Sequence, residues 1–154
     1  MKSTPAAMIP AWALAFALAA PALADSGDIV VRDAWSRASV GVSRPGVAYM
    51  AILNPSDEPV TLTGLRTDLA ERSEIHLTAT DGQGVSSMTP AGDIAIAPGE
   101  TVLLQPGGLH AMLMQLRRPM QDGESFALTL TFSDGGEATV EVPIMGIAAR
   151  GPGG

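Results

Sequence analysis

From residue 29 onward, apolar and polar positions alternate in short runs broken by Pro, Gly, Asn and Asp, and no helical periodicity is sustained. Period-two alternation bounded by turn formers is the signature of strands. It predicts strands at Ile29 to Trp35, Val47 to Asn54, Val60 to Leu65, Arg72 to Thr78, Val85 to Thr89, Thr101 to Gln105, Leu109 to Leu116, Ser125 to Phe132 and Glu137 to Val142. Phe126, Leu128, Leu130 and Phe132 alternate with Ala127, Thr129 and Thr131, so they should fill a core. Ser133-Asp134-Gly135-Gly136 is a hairpin signal, and Asp81-Gly82-Gln83-Gly84 joins another pair. The two prolines of Asn54-Pro55-Ser56-Asp57-Glu58-Pro59 stop pairing, and the flanking runs are expected to fold back as neighbours. Asp68 to Glu71 could form a single helical turn. The pattern defines an all-β chain, a sandwich or barrel in one domain.

The ends follow other rules. Lys2, the apolar run Ala11 to Ala20 and the small-residue site Ala22-Leu23-Ala24 form a secretory signal peptide over residues 1–24, too short to span a bilayer. The expected domain is 25–144, followed by a tail, 145–154, whose Gly and Pro content predicts disorder. The only lysine leaves with the signal, so eight Arg face sixteen Asp plus Glu in the mature chain, a net charge of minus eight. Such a surface repels nucleic acid and anionic lipid. No later run is long enough to cross a membrane, and export implies a periplasmic location.

Chemistry concentrates in Leu109-His110-Ala111-Met112-Leu113-Met114-Gln115-Leu116. On a strand, His110, Met112 and Met114 share one face and Ala111, Leu113 and Gln115 the other. Imidazole with thioether is a soft donor set suited to Cu(I), and the chain has no cysteine. That absence excludes a disulfide framework, a blue-copper site and a Cys-based zinc site. Methionine also fills cores, so Met112 and Met114 have a packing alternative. His76 shares its strand face with Glu74 and Thr78, and a single strand histidine is more often structural than a ligand. Met88 lies on a polar strand, where a thioether has no packing reason to be. No nucleophile motif, metalloprotease motif or phosphate loop occurs, so no enzyme is predicted. A metal-free β-sandwich binding or adhesion module would share the pattern.

Spacing separates these alternatives. His76, eleven residues, Met88, twenty-one residues, His110, one residue and Met112 resembles the motif of the periplasmic copper chaperone family PCu(A)C. Leu77 stands where that family often has a further Met, and on a strand it points away from the His76 face. The resemblance extends through Ala48 to Asn54, Glu74 to His76 and Pro106 to Pro119, and covers about Ile29 to Ile144. It implies a cupredoxin-like Greek-key sandwich binding one Cu(I) through His76, Met88, His110 and Met112; Met114, about 13 Å from His110 along an ideal strand, is assigned to the apolar rim. It also implies delivery toward the copper centre of cytochrome c oxidase subunit II, alongside a thiol-bearing copper chaperone. A His- and Met-rich tail, present in longer relatives, is missing.

Overall fold

The computed structural model describes residues 28–154, and the expected signal segment 1–24 lies outside the described residues. Ten strands are present among them: β1 Val30–Arg37, β2 Gly46–Leu53, β3 Val60–Arg66, β4 Ala70–Thr80, β5 Ser86–Pro90, β6 Ile94–Ile96, β7 Thr101–Leu104, β8 Leu109–Leu116, β9 Ser125–Phe132 and β10 Glu137–Met145. They hydrogen-bond in the order β5-β4-β8-β2-β1-β10-β9-β3-β6, with β7 also on β2. β1 joins the two halves: it is antiparallel to β2 and runs parallel to β10 at Ser36↔Ile144 and Arg37↔Met145. The all-β expectation holds.

Both halves turn one face inward. Met50 and Ile52 of β2, Leu62 of β3, Ile75 of β4, Ile96 of β6, Leu104 of β7, Leu113 of β8 and Val142 of β10 meet in one core with β9. The alternating β9 residues Phe126, Leu128, Leu130 and Phe132 are buried, as their periodicity predicts. Gly46 begins β2 where space is scarce, since a Cβ there would collide with the Sδ of buried Met120. The β9–β10 hairpin closes through Phe132 N–H to Gly136 O at 3.0 Å.

Four local expectations are corrected. The runs flanking Asn54 to Pro59 do not pair: β2 bonds to β1, β7 and β8, and β3 to β6 and β9, so this loop carries the chain from one half to the other. Buried Asn54 pins it, donating from Nδ2 to Glu58 O at 2.7 Å and Ile96 O at 3.1 Å, and accepting at Oδ1 from Ser56 N–H at 3.1 Å. Asp68 and Leu69 form a turn, not helix, and β4 begins at Ala70. Gln115 adopts φ +56° and is exposed, which breaks the alternation that would have put it beside Leu113. Finally, the 145–154 tail begins as the last residue of β10 and stays docked through Ala149. The Ala149 carbonyl accepts from Arg37 Nε at 2.7 Å, and its side chain is buried against Trp35 and Tyr49. Low apolar content hid this because the contact needs one small residue and a backbone carbonyl. Burial pushes the Tyr49 phenol above its ordinary value, with the nearby Arg37 charge opposing the shift.

Candidate metal centre

β4 and β8 pair antiparallel with His76 directly opposite His110. Opposed residues point to the same face with Cβ atoms ~5 Å apart. The two rings stand 6.1 Å apart between centroids and both are buried. The same register sets Met112 opposite Glu74, while β5 places Met88 opposite Thr78. His76, Met88, His110 and Met112 therefore share one face of three adjacent strands, β5-β4-β8.

The hydrogen bonds of the rings define their chemistry. His110 Nδ1 lies 3.1 Å from the Gly108 carbonyl, which can only accept, so this nitrogen carries the proton and the neutral ring keeps its lone pair on Nε2. The same carbonyl accepts from Thr78 N–H at 3.1 Å, which fixes its position. His76 Nε2 lies 3.3 Å from Glu74 Oε2, so the free lone pair of that ring is on Nδ1. Glu74 is held from its other side by Arg72 Nε at 3.1 Å. His76 Nδ1 and His110 Nε2 are both buried without a hydrogen-bond partner among the described residues. An unpaired buried polar atom costs about 1–3 kcal/mol, so two on directly opposed histidines call for a partner. A ring nitrogen held by a carboxylate or carbonyl while the other is left free is the usual setting of a metal-binding histidine.

The thioethers stand further out. Met88 is 54 % exposed on β5, an edge strand whose five residues are all exposed. Met112 is half-buried. On an ideal flat sheet, Met88 and Met112 would lie about 16 Å apart between Cα atoms, four residues along and two strands across. Twist and curl of the β4–β5 hairpin toward the histidine pair would shorten that separation. Met114 sits opposite Arg72, with Arg72 Nη2 at 3.5 Å from its Sδ, beyond Met112 and away from the rings. Leu77 is 41 % exposed and, one residue from His76, lies on the other face. Among the described residues no three His, Asp or Glu side chains converge. The supporting roles of Glu74 and Gly108 were not predicted from sequence. A carboxylate two residues from His76 on the same strand face was a visible signal for the first, but a backbone carbonyl leaves none.

These features define a β-sandwich with paired histidines and methionines on one sheet face. Residues 29–144 match the family described as putative lipoprotein LpqE-like, and the chain belongs to that family, which is of the PCuAC type. A putative lipoprotein of Leifsonia xyli, Lxx21020, is 30 % identical over 116 residues, which span 75 % of this chain and 69 % of that protein. The solution structure of Cu(I)-DR1885 from Deinococcus radiodurans is 34 % identical, with a TM-score of 0.56 over 75 % of this chain and 76 % of that one. The copper-bound PCuAC domain from PmoF2 shares the fold, with a TM-score of 0.63 at 23 % identity over 78 % of this chain and 94 % of that one. Among the described residues no helix is long and apolar enough to cross a membrane.

Proposed function

We propose that this protein is an exported copper chaperone that binds one Cu(I) through His76, Met88, His110 and Met112. The observation that carries this reading is the pair of buried, unpartnered ring nitrogens on His76 and His110, directly opposed in the β4–β8 register. Two imidazoles alone would also serve Cu(II), and the two thioethers bias the site toward the softer cuprous ion. A d¹⁰ ion imposes little geometry, so a site with an exposed Met88 can release it to another protein. Such a carrier needs no catalytic group. Its role fits delivery in the periplasm toward the copper centre of cytochrome c oxidase subunit II, with a thiol-bearing chaperone as a further partner. The copper bound in the PmoF2 domain and in Cu(I)-DR1885 supports the choice of metal.

Anaerobic titration of the apo protein with Cu(I), followed by NMR, should saturate at one equivalent and shift the amides of β5 together with those around His76 and His110. No perturbation of β5 would separate Met88 from the site. Protons compete with metal for imidazole nitrogen but not for thioether. The thermal stabilisation produced by Cu(I) should therefore shrink on acidification over the range in which the apo protein stays folded. A shift that is constant across that range would show that the imidazoles do not ligate.

A further inference from the structure

Beside the copper face lies a second feature with a different chemistry. The segment 38–45 between β1 and β2 is anchored at its base: Ser39 N–H donates to Met120 O at 2.9 Å, Ser39 Oγ accepts from Met120 N–H at 2.9 Å, and Ala38 N–H donates to Met145 O at 2.8 Å. Its tip presents Val40, 73 % exposed, and Val42, 46 % exposed. A cleft of about 590 Å³ opens on one side of this loop, with Arg37, Arg44, Val47 and Ile147 among its walls. A second, of about 350 Å³, opens on the other side against Arg44, Arg72 and Met114. No carboxylate lines either cleft, although the chain has sixteen Asp and Glu against nine Lys and Arg. Arg37 is engaged by a carbonyl and by the faces of Trp35 and Tyr49, and Arg44 has no ion-pair partner among the described residues.

This surface adjoins the candidate ligands. Val47 lies opposite Met112 in the β2–β8 register, and Met114 is two residues from Met112. We propose that the 38–45 loop and its two clefts are a docking surface for an acidic protein segment that sets Asp or Glu beside an apolar side chain. As the place where a copper-exchange partner is held against Met112, it rests on the function proposed above, but the surface itself can be tested in the apo protein. The acidic balance of the whole molecule repels an extended polyanion or an anionic bilayer at longer range. A short segment meets only the local field, where its carboxylates reach Arg44 and Arg37 and its apolar side chain covers Val40 and Ile147. Charges at such a rim act chiefly on encounter and register, and salt screens them.

The test is an NMR titration of the apo protein with a short synthetic peptide of alternating Glu and Leu, beside the same peptide with Lys for Glu and phosphatidylglycerol vesicles. The Glu peptide should shift the amides of Val40, Val42, Arg44 and Ile147, and added salt should weaken it. Arg44→Glu should weaken it about fivefold to tenfold while leaving Cu(I) affinity at the parental value. Arg44→Gln, which removes the charge without reversing it, should give a smaller loss and covers the case of a misfolded Arg44→Glu. Equal binding of the Lys peptide, unchanged binding by both Arg44 variants, absent shifts, or shifts produced by the vesicles alone would each overturn the proposal. A parent that binds the Glu peptide but not Cu(I) would defeat the copper reading and leave the docking surface standing.

Discussion

Replacing His110 by Ala should lower Cu(I) affinity by at least about a hundredfold, because losing even an outer partner of a metal ligand costs ~10–100-fold. His110 is the best-organised of the four candidate donors: it is 3 % exposed, its Nδ1 is held by Gly108, and its Nε2 is free. The methionine variants add a sharper discrimination. Met88→Ala and Met112→Ala should weaken Cu(I) binding more than any residual Cu(II) binding, since the imidazoles that serve the harder ion remain. Met114→Ala, removing a residue beyond the ligand set, should have a small effect. Competition against a chromophoric Cu(I) chelator under anaerobic conditions measures all four variants, with circular dichroism as the folding control. Parental affinity in properly folded Met88→Ala and Met112→Ala would remove both residues from the ligand set.

Asn54→Ala should be the most destabilising single change away from the metal face. The side chain is 1 % exposed and joins three parts of the crossover: its own loop at Ser56 and Glu58, the end of β6 at Ile96, and, through its backbone, Gly99 and Glu100. Alanine removes Nδ2 and Oδ1 together and leaves the Ile96 carbonyl, in a buried bond, without its donor. Stranding buried polar groups in this way costs about 3 kcal/mol, which for a domain of this size lowers Tm by roughly 10 °C. A thermal melt followed by circular dichroism reads this directly, and an unchanged Tm would show that the crossover is held by something else. Cu(I) affinity, governed by strands at the other end of β2, should be unaltered in the folded fraction.

The two kinds of residue differ in how far the sequence exposes them. The β9 residues Phe126 to Phe132 alternate over a full strand, so their burial follows from period alone. β6 gives little sequence signal because Ile94–Ile96 is only three residues long, and its partner Val60–Leu62 lies far earlier in the chain. Turn residues mark where a chain reverses but not which strand it joins, which is why the loop after Asn54 was misread as a hairpin. The candidate site was legible as residue types at fixed spacing. Its geometry was not, because His76 and His110 become neighbours through the β4–β8 register, and their free nitrogens are set by Glu74 and by the backbone at Gly108. The docked tail escaped notice for a related reason: Ala149 is held by Arg37, more than a hundred residues earlier in the chain.

X-ray absorption at the copper edge of the protein loaded with one equivalent of Cu(I) tests the central claim most directly. The spectrum should show a cuprous ion with two sulfur and two imidazole nitrogen neighbours, and lose sulfur scattering in Met88→Ala and Met112→Ala. A coordination sphere without sulfur, or one without imidazole, would contradict the His76, Met88, His110 and Met112 site.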